Sequence, residues 1–166
     1  MKIELNNKIA LVTGGARGLG KAIVTKLENS GAIVCFTSRD KNEIDKFQTN
    51  QQKNILPIHA DTSTSKGIET AYQIITNKYS KLDILVNNIG HTLEIKDPYA
   101  SKDDWLKVIN LNFLCHVETT NKFLPLMKKN DWGRIINITS IAGLEISGPA
   151  PFNSAKAAFT AYTRSV

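Results

Sequence analysis

The feature that most constrains the fold is a glycine-rich stretch near the N-terminus, with the letters TGGARGLG at residues 13–20. It follows an apolar segment, Lys8 to Val12, that predicts a buried strand, and it precedes apolar residues at helical spacing that predict a helix ending near Gly31. The glycines therefore form a tight turn from a strand into a helix. Because the N-terminus of a helix attracts anions, the stretch predicts a phosphate-binding turn, although a glycine turn that binds nothing stays open.

Three glycines of this turn have separate expected roles. Gly14 supplies a sharp bend, and Gly18 has no Cβ to keep a pyrophosphate away from the backbone. Gly20 lets the helix pack close to the strand.

The residues at the end of the second predicted strand, Ile33 to Thr37, are expected to contact the ribose 2′ group of a dinucleotide and to distinguish a hydroxyl from a phosphate there. An acidic side chain about 20 residues after the glycines usually accepts a hydrogen bond from the 2′-hydroxyl. Here the neutral Ser38 and then Arg39 stand at that place, and Arg17 lies inside the glycine turn. Two guanidinium groups suit a 2′-phosphate, so NADP(H) is expected to be preferred, with NAD(H) possible. Asp40 argues mildly the other way, and solvated loop charges remain the alternative for both arginines.

The third strand belongs at an edge of the sheet. Residues 41–51 predict a short polar helix, and Ile55 to Ala60 predict the strand. Pro57 within it has no N–H to donate, which suits an edge strand, and the third strand is the edge in the order 3-2-1-4-5. Asp61 and Thr62 close this strand.

The middle of the chain continues the alternation of helices and strands. Ser63 or Thr64 is expected to cap a helix that runs to about Tyr79. Leu82 to Val86 predict the fourth strand, which leads into the letters NNIG at residues 87–90.

A long helix is predicted next. Ser101 with Asp104 indicates a capped start, and apolar residues from Trp105 to Val117 indicate one continuous helix. Asn110 and Asn112 lie within this apolar region, where an amide needs hydrogen-bond partners.

The fifth strand, Gly133 to Ser140, is expected to place Ser140 at its carboxyl end. Ligands of open α/β sheets bind beyond the carboxyl ends of the strands, where Gly14 and Asn88 are also expected. These three motifs together resemble the short-chain dehydrogenase/reductase family. The glycine turn has the family's T-G-x-x-x-G-x-G form, and NNIG is similar to its N-N-A-G signature with Ile89 in place of alanine. The resemblance covers essentially the whole chain.

The resemblance implies an oxidoreductase that moves a hydride between nicotinamide and a carbonyl or alcohol carbon of a small molecule. It implies that Asn112 orders a proton-relay water, Ser140 orients the substrate oxygen and Lys156 holds the nicotinamide ribose. It also implies that Asp61 meets the adenine amino group, although a helix-capping or loop aspartate is the alternative.

One departure from the family concerns the general acid. The family's Y-x-x-x-K motif is matched here by FNSAK, so Phe152 takes the tyrosine position four residues before Lys156. Phenylalanine exchanges no proton, and a general acid contributes about 10²–10⁴-fold, so the usual reaction is expected to be impaired. Tyr162 is expected to point elsewhere on the helix. A non-catalytic NADP-binding module, or a lyase or epimerase that uses bound nucleotide, therefore stays open.

Composition and charge argue against several other classes of function. The 166 residues suffice for one domain, and the net charge of +6 comes from scattered lysines without a basic block, so no nucleic-acid partner is expected. Cys35 and Cys115 lack metal or C-x-x-C spacing and indicate reduced core residues of a cytoplasmic protein. No metal site is expected, and no apolar run approaches membrane length.

The last helix predicts a homo-oligomer. Its apolar residues recur at spacings of three and four: Phe152, Ala155, Phe159, Tyr162 and Val166. The resemblance implies that this helix and the helix of Trp105 pair across a dimer axis. Burial of the stripe within one chain is the alternative.

The sequence thus predicts an α/β fold, a Rossmann-type doubly wound, mostly parallel sheet with helices on both faces. Residues 1–166 are expected to form a single dinucleotide-binding domain without the family's C-terminal strands. The expected catalytic positions are Asn112, Ser140 and Lys156, with Phe152 at the tyrosine position. The expected cofactor-binding positions are Gly14, Ala16, Arg17, Gly18, Leu19, Gly20, Ser38, Arg39, Asp61, Thr62, Asn88, Ile89, Gly90 and Lys156.

Overall fold

The sheet has the predicted order. A computed structural model describes residues 3–48, 54–129, 131–145 and 147–166. Its strands pair in parallel as β3-β2-β1-β4-β5, which confirms the edge position of the proline-containing third strand. The strands are β1 (Ile9–Val12), β2 (Ile33–Ser38), β3 (Ile55–His59), β4 (Ile84–Asn87) and β5 (Arg134–Asn137).

Helices connect the strands and cover both faces of the sheet. They are α1 (Gly18–Asn29), α2 (Lys41–Gln48), α3 (Ser65–Lys78), α4 (Lys102–Ile109), α5 (Cys115–Met127) and α6 (Ala150–Ser165). The predicted end of α2 near residue 51 lies outside the described residues. No helix in the described ranges is long and apolar enough to cross a membrane.

Two apolar cores explain why the strand segments are continuously apolar. Side chains alternate across a strand, so Leu11 packs on one face while Ala10 and Val12 pack on the other. The first core includes Ile75 of α3 and Phe123 of α5, and the second includes residues of α1 and α2. Both faces of the inner strands β1, β2 and β4 are buried in this way, and in them the alternation of apolar and polar residues disappears, whereas β5 is partly exposed.

Capping residues fix the starts of α3 and α4. The Thr64 side chain accepts from the Gly67 N–H at 3.1 Å, so Thr64 is the cap of α3. Ser101 Oγ accepts from the Asp104 N–H at 3.2 Å and lies 3.0 Å from the Asp104 carboxylate, which confirms the predicted start of α4.

The long helix predicted from Trp105 to Val117 is present, but it contains a π-helical turn that the sequence does not predict. α4 ends at Ile109, and a π-helical turn, Asn110–Leu114, joins it to α5. Within this turn Asn112 Nδ2 donates to the Val108 carbonyl at 2.9 Å. That carbonyl would accept from the Asn112 N–H in a regular α-helix, so the side chain supplies a partner where the helix widens.

The fourth and fifth strands are shorter than predicted. β4 begins at Ile84. Asp83 before it is buried, and its carboxylate accepts from the Ile9 N–H at 2.9 Å. β5 ends at Asn137, three residues before Ser140. Ser140 Oγ accepts from the Ala142 N–H at 3.2 Å and starts a short 3₁₀ turn, Ile141–Gly143, so the serine caps a turn and does not end a strand.

The middle of the apolar stripe of α6 is covered within the chain, as in the alternative interpretation, whereas Val166 at its end is 78% exposed. Ala155 and Phe159 are fully buried. The Phe159 ring stacks on His116 at 4.6 Å, and Tyr162 meets Phe113 at 6.0 Å, as measured between ring centroids. The stripe at these positions therefore gives no argument for an interface, and Tyr162 points elsewhere on the helix, as predicted.

Candidate functional site

The glycine turn has the geometry that its sequence predicts. Gly14 and Gly18 have φ values of +67° and +53°, in the left-handed region that favours glycine. A Cβ on Gly20 would lie 2.2 Å from the Gly14 carbonyl oxygen, which confirms that α1 packs closely on the turn. A Cβ on Gly18 would meet no heavy atom within 4 Å, so this side of the turn is open.

Asn88 holds this turn to the end of β4. Its Nδ2 donates to the carbonyls of Thr13 at 2.9 Å and Gly14 at 3.2 Å. In return, Thr13 Oγ1 accepts from the Asn88 N–H at 2.9 Å. These bonds join the glycine motif to the NNIG motif. Thr13 was not predicted as a site residue, because a single threonine at the end of a strand carries no spacing signal.

Thr37 holds the same turn from the side of β2. Its Oγ1 accepts from the Gly14 N–H at 3.2 Å, and its carbonyl accepts from the Gly15 N–H at 3.0 Å. Thr37 Oγ1 also lies 3.3 Å from Thr62 Oγ1. Thr62, a predicted cofactor-binding residue, is buried and contacts the glycine turn through Thr37.

The turn fits a pyrophosphate. Arg17 is the N-cap of α1 and makes no side-chain capping hydrogen bond, so it offers no internal acceptor to the N–H groups of the first helical turn. Ala16 is buried, whereas Arg17, Gly18 and Leu19 are exposed beside these N–H groups. An anion bound at the open side of Gly18 would meet the donors and the positive end of the helix dipole.

After β2 lie a serine and an aspartate that both make local hydrogen bonds and an arginine that is exposed. Asp40 Oδ1 accepts from the Asn42 N–H at 2.9 Å, so its carboxylate is engaged at the start of α2. Ser38 Oγ accepts from the Asp40 N–H at 3.1 Å. Arg17 and Arg39 are both exposed, so their guanidinium groups are available to a phosphate.

Asp61 is held by its own turn. Its Oδ1 accepts from the Ser63 N–H at 3.0 Å and from Ser63 Oγ at 2.7 Å. Asp61 therefore makes the local hydrogen bonds of a loop aspartate, which is the alternative that the sequence leaves open for it. A groove of about 260 Å³ beside Asp61 is also lined by Arg39 and His59, which keeps one face of this segment accessible.

Lys156 lies at the centre of the other half of the site. Its side chain is buried, Nζ donates to the Ile138 carbonyl at 3.0 Å, and burial lowers the pKa of the ammonium group. A Cβ on Gly90 would lie 3.2 Å from Lys156 Nζ and 2.8 Å from Asn112 Oδ1. The absence of a side chain at Gly90 therefore lets Asn112 and Lys156 approach the same point.

Asn112 clamps the loop that follows β4. Its Oδ1 accepts from the His91 N–H at 3.1 Å, and its Nδ2 donates to the His91 carbonyl at 2.8 Å. The hydrogen-bond partners that a buried amide at Asn112 requires are thus backbone groups. Asn110, in contrast, is exposed on the π-helical turn, where its Nδ2 donates to the Ser63 carbonyl at 3.0 Å.

Phe152 lies beside the lysine, as the four-residue spacing predicts. The centre of its half-buried ring is 5.8 Å from Lys156 Nζ. The ring places a hydrocarbon where a proton donor is expected from the resemblance. Ser140 is half-buried at the start of the 3₁₀ turn, so a hydroxyl, an ammonium group and an aromatic ring come from the segments after β5.

His116 is a buried polar residue that the sequence did not single out. Neither ring nitrogen has a hydrogen-bond partner, and the ring stacks on Phe159. Burial, followed by the nearby charge of Lys156, lowers the pKa of His116 to about 3. The imidazole is therefore neutral at pH 7. Among the described residues, no group of three or more His, Cys, Asp or Glu side chains is placed to hold a metal ion.

The fold and the glycine turn together define a Rossmann-type α/β protein. A family model described as short chain dehydrogenase matches residues 8–166, and the chain belongs to that family of oxidoreductases, whose members bind NAD(P) and act on small molecules.

Curated relatives include two uncharacterized oxidoreductases. SA2266 of Staphylococcus aureus strain N315 is 32% identical over 153 residues, which are 91% of this chain and 66% of the relative. YvaG of Bacillus subtilis strain 168 is 33% identical over 129 residues, which are 75% of this chain and 47% of the relative. The chain thus spans 66% or less of these two relatives.

Solved structures show the same fold. The Pseudomonas aeruginosa RhlG/NADP active-site complex matches with a TM-score of 0.89 at 30% identity, over 99% of this chain and 67% of that chain. The crystal structure of gox2181 matches with a TM-score of 0.88 at 26% identity, over 99% of this chain and 66% of that chain.

Proposed function

We propose that this protein binds NADP(H), in preference to NAD(H), and transfers a hydride between nicotinamide and a carbonyl or alcohol carbon of a small molecule. The observation that carries the proposal is that Asn88 binds the glycine turn at the end of β4, two residues before Gly90, where Asn112 and Lys156 approach the same point. A similar structure is titled as a complex with NADP. Bound nicotinamide would supply or accept the hydride.

The residues of the chain have separate roles in this proposal. The first turn of α1 binds the pyrophosphate, and Arg17 and Arg39 bind the 2′-phosphate. Lys156 holds the nicotinamide ribose, and Ser140 Oγ donates a hydrogen bond to the substrate oxygen. Asn112 fixes the loop after β4.

The cofactor preference can be measured by titrating the protein with NADPH and NADH and following nicotinamide fluorescence. We expect NADPH to bind at least tenfold more tightly, because charge-assisted contacts to a phosphate contribute about 1.5–3 kcal/mol each. Equal affinities, or tighter binding of NADH, would refute this preference. A screen of ketones and aldehydes with the preferred cofactor then tests for hydride transfer.

The second candidate is a non-catalytic NADP-binding module, and Phe152 is the observation that favours it. Such a protein would bind NADPH in the same titration and reduce none of the carbonyl compounds. The two candidates therefore share the binding result and differ in turnover.

We further propose a homo-oligomer and a cytoplasmic location. Leu106 on α4 and Leu114 on the π-helical turn are 48% and 45% exposed, which supports an apolar contact on these helices. Cys35 and Cys115 are free and buried, and burial raises the pKa of each thiol to about 12, so both stay protonated, as suits a reducing compartment. Sedimentation that finds only monomer would contradict the oligomer.

A further inference from the structure

A histidine side chain ties the segment after β2 to the edge strand β3. His59 is the last residue of β3, and its Cα pairs with that of Ser38 at the end of β2. The exposed imidazole reaches one residue further along that segment, where Nε2 lies 3.2 Å from the Arg39 carbonyl oxygen. Because a carbonyl oxygen only accepts, Nε2 carries the hydrogen and donates it. The ends of the two strands are therefore joined by a side chain as well as by the backbone ladder.

The peptide planes on both sides of the Arg39 Cα are held. The Ala60 N–H donates to the Ser38 carbonyl at 3.0 Å, which fixes the peptide before Arg39. In the peptide after Arg39, the carbonyl accepts from His59 Nε2, and the N–H, which belongs to Asp40, donates to Ser38 Oγ at 3.1 Å. Because each peptide is planar, holding two successive planes sets φ and ψ of the residue between them. The direction of the Cα–Cβ bond of Arg39 is set in this way.

This anchored segment lies where the 2′-phosphate of a cofactor is proposed to bind. Arg39 and His59 line the same groove of about 260 Å³. The arginine side chain is exposed, and a long side chain loses rotamer freedom when it binds a ligand. A backbone that already fixes the origin of this side chain reduces the conformational entropy that is lost on binding. The hydrogen bond from His59 therefore preorganises Arg39.

We propose that His59 is a positioning residue that sets the preference for NADP(H) over NAD(H), by holding the backbone of Arg39 so that the guanidinium group meets the 2′-phosphate. The inference rests on the proposed function, in which Arg39 binds that phosphate. His59 acts through Arg39 and needs no contact of its own with the cofactor. NADH has no phosphate at this position, so its binding does not depend on His59.

The test is His59→Phe, which keeps an aromatic ring and removes the Nε2 donor. We expect the Kd for NADPH to rise about fivefold, the effect of one net hydrogen bond, while the Kd for NADH stays unchanged. His59→Gln, whose side-chain amide offers a donor near the position of Nε2, should keep the wild-type Kd for NADPH. Fluorescence titration of each variant with both cofactors provides the values.

Two further variants separate positioning from direct binding and from a general change of the groove. In an Arg39→Ala background, His59→Phe should change the Kd for NADPH by less than about twofold, because the residue through which His59 acts is gone. Thr70 lines the same groove, and its Oγ1 donates to the Lys66 carbonyl at 2.9 Å. Thr70→Val is the matched control and should leave the Kd values for both cofactors unchanged.

The outcomes separate this inference from the proposed function. If Arg39→Ala weakens NADPH binding and His59→Phe does not, the role of His59 alone is overturned. Equal losses of affinity for NADPH and NADH in His59→Phe also overturn it, and so does a loss that persists in full in the Arg39→Ala background. A wild type that binds NADPH and NADH equally, with no change in Arg39→Ala, overturns the proposed cofactor preference and the role of His59 with it.

Discussion

The two halves of the site differ in how completely their polar groups are paired. Beside β1 and β2, Thr13 and Thr37 bind the glycine turn, and each hydroxyl has a partner. On the side of β5 and α6, the buried atoms without a partner include both ring nitrogens of His116 and Oδ1 of Asn153. This second half also carries Phe152. Buried polar groups normally find partners, so this second half is the one in which buried polar groups are less completely paired.

We call the side of β1 and β2 the cofactor half and the side of β5 and α6 the substrate half, after the function proposed for them. We infer that the cofactor half holds the backbone of the glycine turn in place. Residues that alter the reaction are then confined to the substrate half. In the cofactor half, the backbone segments of the glycine turn approach so closely that larger side chains would not fit at Gly14 and Gly20. In the substrate half, the arrangement of the site depends on side chains of α5 and α6. Substitutions in the two halves should therefore fail in different ways.

The largest effect is expected for Gly20→Ala, compared with Gly18→Ala in the same turn. The Gly20 substitution forces a Cβ against the Gly14 carbonyl oxygen, and we expect it to cost about 3 kcal/mol of unfolding free energy and to abolish cofactor binding. Gly18→Ala meets no atom and should cost only the strain of its positive φ, about 1–2 kcal/mol, while weakening NADPH binding. Denaturant unfolding and NADPH titration measure both. Equal losses of stability would contradict a tightly packed Gly20.

The next effect concerns acid stability of the substrate half. The folded-state pKa of His116 is lowered from 6.5 to about 3, so the unfolded chain binds more protons between these values and stability falls as the pH is lowered through that window. We expect this residue to cost roughly 3 kcal/mol at pH 4 relative to pH 8.

His116→Leu should remove that part of the acid sensitivity and leave stability at pH 8 equal or higher, because two unpaired buried nitrogens are replaced by an apolar side chain. His59→Asn, at an exposed histidine, is the control and should keep the wild-type pH dependence. Denaturant unfolding across pH 4 to 8 provides the measurement. The same slope in His116→Leu as in the wild type would show that His116 is not the group responsible.

A smaller effect is expected at the 2′ position. Arg39→Ala should weaken NADPH binding about tenfold, because it removes one charge-assisted phosphate contact, and should leave NADH binding unchanged. Fluorescence titration with both cofactors checks this, and Lys41→Ala, two residues along the chain, is the control for a general loss of positive charge. A variant that loses affinity for both cofactors equally would assign Arg39 to another part of the dinucleotide.

The strand order and the glycine turn could be predicted from the sequence because they depend on local signals. Apolar segments predicted all five strands, and Pro57 predicted that the third strand lies at an edge of the sheet. The π-helical turn at Asn110–Leu114 could not be predicted, since its residues fit an ordinary helix and the widening depends on the bond from Asn112 to Val108. The periodicity of α6 gave the right stripe but not what covers it, because periodicity identifies an apolar face and not its partner.

Site residues could be predicted where their spacing in the sequence matches a motif of the family. They could not be predicted where they act through hydrogen bonds between segments that are distant in the sequence. Lys156 and Asn112 lie where their spacing indicates. Thr37 escaped prediction, because it acts through a hydrogen bond to the Gly14 N–H. A threonine within a strand does not signal such a contact from the sequence.

The measurement that tests the account most directly is kcat/KM for carbonyl reduction by Phe152→Tyr and by the wild type, together with the Kd of each for NADPH. The new hydroxyl would stand near Lys156, whose positive charge lowers the pKa of a phenol, so we expect a gain of about tenfold or more with an unchanged Kd. Phe113→Tyr, which adds the same oxygen to a ring of the π-helical turn, should leave the rate unchanged. A fast wild type whose rate does not change in Phe152→Tyr would contradict the assignment of Phe152 to the position of the general acid.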